Sequence, residues 1–212
     1  MAQILVFGTS ITYGAWDSEG GWVARLRKYI DAKTIASNNE YCLVYNLGIS
    51  GDTTDGILQR FEEEARRRIA IEDKDVTFLF HVGINDSIYL NTEKQFRVPK
   101  EEFRKNLKTL ISHARKITQK IIFIGLSPVD DSLVDPIPWA SEKSYKNKHV
   151  KEYDQILQDV CREEHVNFID TLSILNEKGG QNLLCDGVHL TSEGHAIIFE
   201  TVRKFLEEQK II

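Results

Sequence analysis

Short apolar runs alternate with longer amphipathic stretches along the chain. Gln3–Phe7, Tyr41–Asn46, Val76–His81, Ile121–Leu126 and Val166–Ile169 are brief, rich in β-branched or aromatic residues, and bounded by turn formers. They predict strands. Their near-continuous apolar character fits strands buried on both faces, as in a parallel sheet. Between them, Gly21–Ile30, Thr54–Ile69, Lys100–Ile117, Ser144–Glu164 and Thr191–Glu208 carry helical patterns. In the last, Ile197, Ile198, Val202 and Phe205 recur at helical spacing with charges between them. Strand–helix alternation predicts a doubly wound α/β sheet with right-handed crossovers. Pro128, Pro136 and Pro138 break the pattern, so Ser127 to Ser141 is expected to be a long surface loop.

The chain has 212 residues. At ~150 residues per domain, one domain over 1–212 is expected. Apolar residues make up 42% and charged residues 28%, which excludes a disordered chain. No apolar run approaches the ~20 residues of a membrane span. The run Met1 to Phe7 is short, has no basic segment before it and meets Gly8 at once, so it is expected to be a first buried strand, not a leader. Cys42, Cys161 and Cys185 are odd in number and form no CxxC pair. They fit a reducing cytoplasm and are expected to fill core. A net charge of −5 argues against a nucleic-acid partner. Arg66–Arg68 and Lys143–Lys151 read as solvated helix faces.

In an open α/β sheet, ligands bind beyond the carboxyl ends of the strands. The turns found there are Gly8–Gly14, Asn46–Thr53 and Gly83–Asp86, with Asp186–Leu190 placed after the fifth strand and just before the last helix. All four are polar and glycine-marked. Singly, each has a structural reading: glycines for tight turns, Thr9, Ser10 or Thr12 as helix caps, Asn85–Asp86 as an Asx turn. The spacing matches neither G-x-G-x-x-G nor a phosphate loop, so no nucleotide cradle is expected.

Together, Gly8-Thr9-Ser10, Asn46-x-Gly48-x-x-Gly51, Gly83-x-Asn85-Asp86 and Asp186-x-x-His189 resemble the SGNH (GDSL-type) hydrolases. The blocks fall in that family's order and span nearly the whole chain. The resemblance implies a three-layer α/β/α sandwich with about five parallel strands in flavodoxin-like order. It implies a serine esterase acting on a small acyl ester, in which Ser10 is the nucleophile, His189 its base and Asp186 the orienting acid. It places the oxyanion hole at the Ser10 and Gly51 amides and the Asn85 side chain. Asn46, Gly48, Gly83 and Asp86 then shape the turns. Neither cofactor nor metal is implied, and oligomeric state is left open. The chain departs from the family at Thr9, where Asp is usual. Threonine hydrogen-bonds locally but brings no charge.

His81 is read as a strand-end structural residue. Tyr13, Trp16, Trp22, Phe96 and Trp139 lie in or near the rim segments and suit either pocket lining or packing. The loop 127–141 is placed where it can close one side of a pocket. Two other functional classes stay open. Asp86, Asp186, His189 and His195 are ligand types for a metal-dependent hydrolase, although an i, i+6 pair such as His189 and His195 falls on different helix faces. A non-catalytic binding module on the same scaffold is the other.

Overall fold

The computed structural model describes residues 2–37, 41–69 and 75–212. The elements run β1 (Ala2–Gly8), α1 (Ser10–Tyr13), α2 (Gly21–Ser37), β2 (Cys42–Gly48), α3 (Thr54–Arg68), β3 (Asp75–His81), β4 (Tyr89–Leu90), β5 (Gln95–Phe96), α4 (Lys100–Arg115), β6 (Ile121–Ile124), α5 (Asp131–Val134), β7 (Lys143–Ser144), α6 (Asn147–Glu163), β8 (Asn167–Ile169), α7 (Thr171–Lys178) and α8 (Ser192–Glu208). Five strands form a sheet in the order β2-β1-β3-β6-β8. Every pairing in it is parallel. Counted within the sheet alone, this is the 2-1-3-4-5 order of flavodoxin-like folds, whose ligands bind where the winding reverses beside the first strand.

Successive residues of β1 face opposite layers, as the two-residue strand period requires. Leu5 and Phe7 join Phe61, Phe78, Phe80, Phe103 and Tyr153 in one core. Ile4 and Val6 join Trp22, Leu26, Leu79, Ile198 and Val202 in the other. Helices α3, α4 and α6 therefore cover one face of the sheet and α2 and α8 the other, giving three layers. The register is what matters for function. Gly8 lies opposite both Gly48 and His81, so β1, β2 and β3 end level and their turns leave side by side.

The structure departs from the sequence reading in several places. Helix α2 runs past Ile30 to Ser37. Ser144 lies in β7, and α6 starts only at Asn147. A second, antiparallel sheet of order β5-β4-β7 has two-residue strands, too short for any periodicity to show. Helix α7 intervenes between β8 and Asp186. It opens on Asp170, whose side chain accepts from the Ser173 amide. The segment 127–141 is also not wholly superficial, because Ser127, Val129, Val134 and Ile137 are buried. Cys161 is core, whereas Cys185 is exposed. Arg66 and Arg67 pair with Glu63, and Arg68 with Glu64, at the carboxyl end of α3 where cations suit the helix dipole. No helix among the described residues is long and apolar enough to cross a membrane.

Beneath the turns, His81 and His195 are buried, and His81 packs against the Trp22 ring. Burial holds His81 down at about 3 and His195 at about 4. Both are neutral in the folded protein at pH 5, whereas exposed imidazoles bind protons there. The unfolded chain thus binds the extra proton, and stability falls as pH drops. Buried carboxyls raised to about 6, Asp86 and Asp154, act in the opposite sense. A paired comparison cancels them. Between pH 6.5 and about 4, His195→Leu should lose less stability than the parent, by up to ~1.4 kcal/mol per pH unit. Urea unfolding of both proteins across that window checks this.

Candidate active site

Ser10 opens α1 directly beyond β1, so its N–H is among the first-turn amides that lack an intrahelical acceptor. Thr9 precedes it in extended conformation and caps nothing with its side chain; it is buried. The glycine in the next turn is fixed by close approach. A Cβ on Gly48 would lie 2.4 Å from the Tyr13 nitrogen and 2.8 Å from the Thr9 oxygen. Asn46 ties the two turns together. Its amide donates to the Thr12 carbonyl at 2.9 Å, and its oxygen accepts from the Gly48 amide at 3.0 Å. Gly51, at φ 79°, occupies the left-handed region and sits on the cavity wall. Asp52, next to it, is ion-paired with Arg60 of α3 at 2.9 Å.

The third turn brings Asn85 to the same place. Its Nδ2 donates to the Asp52 carbonyl at 2.8 Å, and its Oδ1 accepts from the Tyr145 hydroxyl at 2.6 Å. Those two bonds fix which way the carboxamide faces and leave one N–H free. Burial pushes the Tyr145 hydroxyl well above the usual phenol range, so it is a proton donor at any working pH. Asp86 does not face the cavity. It accepts from the Thr54 amide at 3.0 Å and the Thr54 hydroxyl at 2.5 Å, at the start of α3.

Asp186 and His189 sit on one turn. Asp186 Oδ1 accepts from the Val188 and His189 amides at 3.0 and 2.8 Å. Its Oδ2 lies 2.7 Å from His189 Nδ1. Partial burial pushes the Asp186 carboxyl up, but the His189 amide, the His189 ring and the Val188 amide together hold it below the usual range. His189 Nε2 lies 3.0 Å from Ser10 Oγ. With the proton on Nδ1 facing the carboxylate, Nε2 is the free base and the serine hydroxyl donates to it. A hydroxyl so placed can lose its proton as it attacks a carbonyl.

Ser10, Gly51, Asn85 and His189 border a cavity of about 750 Å³ that also meets Tyr13, Trp16, Arg97, Ile137, Trp139 and Tyr145. Of the five aromatics noted above, Tyr13, Trp16 and Trp139 line it. Trp22 is core, and Phe96 packs on Tyr89, His149 and Tyr153. Ile137 and Trp139 come from the segment after β6, which forms one wall. The small antiparallel sheet supplies another. Arg97 hydrogen-bonds to Ile88 just past its strands, and both residues reach the cavity with Lys143 and Tyr145. Nothing in the sequence pattern marked Arg97, Lys143 or Tyr145 as pocket residues, because the sheet that aligns them was not legible. His81 does not line the cavity. His195 is buried behind it, and no group of three or more His, Cys, Asp and Glu among the described residues is arranged to hold a metal ion.

The family model for GDSL-like lipases and acylhydrolases matches residues 6–197. The chain belongs to that family. It is therefore an ester hydrolase of the GDSL (SGNH) class. Among curated relatives, an isoamyl acetate-hydrolyzing esterase 1 homolog of Bos taurus is 26% identical, with 98% of this chain and 82% of the relative covered. The isoamyl acetate-hydrolyzing esterase of Saccharomyces cerevisiae is 24% identical over 97% of this chain and 86% of its own. Among solved structures, a lipase/acylhydrolase from Enterococcus faecalis superposes with a TM-score of 0.76 at 23% identity, covering 99% and 97% of the two chains. An acetylxylan esterase from Geobacillus stearothermophilus gives 0.72 at 22% identity, covering 98% and 93%. These two superpositions show that the GDSL hydrolase shares their fold.

Proposed function

We propose that this GDSL hydrolase cleaves small acyl esters through an acyl-enzyme, with Ser10 as nucleophile, His189 as base and Asp186 as the orienting acid. The observation that carries the reading is the continuous line from Ser10 Oγ through His189 to Asp186, with contacts of 3.0 and 2.7 Å. In the first step Ser10 Oγ bonds to the ester carbonyl carbon and its proton passes to His189 Nε2. The ester C–O bond then breaks, and the leaving alcohol takes that proton. Water enters, gives a proton to His189 and releases the acid, returning the proton to Ser10. Charge on the carbonyl oxygen is met by the Ser10 and Gly51 amides and the free N–H of Asn85. No residue of this scheme calls for a cofactor or a metal. The names of the relatives point to acetate esters, and a pocket rimmed by Tyr13, Trp16 and Trp139 suits a short acyl group with an apolar or sugar alcohol. Its three free cysteines accord with the cytoplasm.

Hydrolysis of 4-nitrophenyl esters from acetate upward, with and without EDTA, tests the reading alongside labelling by a fluorophosphonate. Chelator-resistant turnover and labelling of Ser10 are expected. Activity that chelation removes and added metal restores would favour a metal-dependent hydrolase. Absence of both turnover and labelling would favour a binding module. Within the reading, Asn85→Ala should lower kcat by ~10²–10³ with KM little changed, because the lost donor acts on charge that develops after binding. Tyr145→Phe should reproduce part of that loss, since it frees the carboxamide to turn.

A further inference from the structure

Trp16 is an unusual residue on this surface. It is 72% exposed, and its φ of 65° places a bulky side chain in the left-handed region, where such residues are uncommon. The segment around it is anchored on both sides. The Ala15 amide bonds to the Ser10 carbonyl at 2.9 Å. Asp17 is buried, ion-paired with Arg25, and accepts from the Gly21 amide at 2.9 Å. The loop is thus built to hold one exposed tryptophan in a strained conformation.

Its indole lies edge-on to the His189 ring, with centroids 5.7 Å apart and planes at 81°. The indole Nε1 is 3.1 Å from Asp186 Oδ2 and 3.0 Å from His189 Nδ1. Indole is a donor only. When Nδ1 carries the proton that faces Asp186, it has no lone pair to offer, and the indole N–H has one acceptor left, Asp186 Oδ2. We infer that Trp16 is a positioning residue of the Ser10–His189–Asp186 line, donating to the carboxylate oxygen that orients His189. This rests on the acyl-enzyme reading above. The backbone amides hold Oδ1, and Trp16 holds Oδ2, so the carboxylate cannot rotate away from the imidazole.

The donor also tempers the carboxylate. Without it, Asp186 carries more unshared charge toward His189 and favours the imidazolium more strongly. Other titratable or charged groups facing this pair are Tyr145, Cys185 and His195, the last two of which also face Asp17 with its partner Arg25. Arg97 and Lys143 line the same cavity. None of them hydrogen-bonds to the Trp16 indole, so all persist when its N–H is removed.

Trp16→Phe keeps a ring over His189 and removes the N–H; Trp16→Ala removes both. The experiment measures kcat and KM for 4-nitrophenyl acetate across pH, with fluorophosphonate labelling of each protein. Labelling of Ser10 in the parent secures the underlying reading, and failure there is a failure of that reading alone. Trp16→Phe should then lower kcat by about tenfold, the scale of one hydrogen bond to a charged group, and leave KM within about twofold. Its acid limb should move to higher pH, and Trp16→Ala should show the same displacement. An acid limb that stays where the parent has it, or moves to lower pH, overturns the inference whatever happens to the rate. A change confined to KM also overturns it, because the ring would then be only a wall.

Discussion

Replacing Ser10 with alanine should lower kcat for any ester this protein hydrolyses by ~10⁴–10⁶ while leaving the fold intact. The size of the effect follows from the order of events. Without Oγ there is no acyl-enzyme, and His189 has no hydroxyl to activate. In the proposed scheme the residual rate is what the Gly51 and Asn85 donors would provide to adventitious attack by water. The fold should survive because the hydrogen bond that Oγ makes, 3.0 Å to His189, lies on the cavity wall and strands no partner in the core. Steady-state turnover of parent and variant, with urea midpoints measured in parallel, checks both halves. A variant retaining more than a tenth of the parent rate would remove Ser10 from the mechanism. Loss of activity together with loss of the unfolding transition would not count in its favour.

The three turns from Ser10 to Asn85 were legible because the physics that places them is local and periodic. Apolar runs such as Val76–His81 can be buried on both faces only in a covered sheet, and the residue where each run stops marks the sheet edge. Level strand ends then bring Ser10, Gly51 and Asn85 together without any long-range information beyond the strand order. The Asp186–His189 pair came from the resemblance to the family, and its i, i+3 spacing on one turn is what lets the short carboxylate reach the ring. What could not be read depends on partners far apart in sequence. Tyr145 reaches Asn85 across 60 positions, and Trp16 reaches Asp186 across 170. The strands that deliver Arg97 and Tyr145 are two residues long, and no hydrophobic period exists at that length. Trp16 looked like any rim aromatic. Its meaning lies in a backbone angle and an indole direction that composition does not encode. The fold itself left a similar trace: the continuation of α2 to Ser37 has weak amphipathic contrast, so its end was invisible in the pattern.

Asp186→Asn should lower kcat by ~10⁴ at neutral pH, and the geometry says why so small a change has so large an effect. Asp186 Oδ1 accepts from two backbone amides, Val188 at 3.0 Å and His189 at 2.8 Å. Both are donors, so an asparagine must keep its carbonyl oxygen there. Its NH₂ is then forced into the Oδ2 position, 2.7 Å from His189 Nδ1. An amide N–H in that place donates to Nδ1, which must give up its own proton. The imidazole proton moves to Nε2, the atom facing Ser10 Oγ at 3.0 Å. A histidine protonated at Nε2 cannot accept from the serine, and the base is lost although every heavy atom stays near its place. The indole N–H of Trp16, pointing at the same position, adds a donor-to-donor conflict. The two retained amide bonds should keep the turn and the global stability close to the parent. The measurements are kcat at neutral pH, the rate of Ser10 labelling by a fluorophosphonate, and the thermal midpoint. Both rates should collapse together while the midpoint holds. A variant that labels and turns over at near-parent rates would mean that the carboxylate does not set the tautomer of His189.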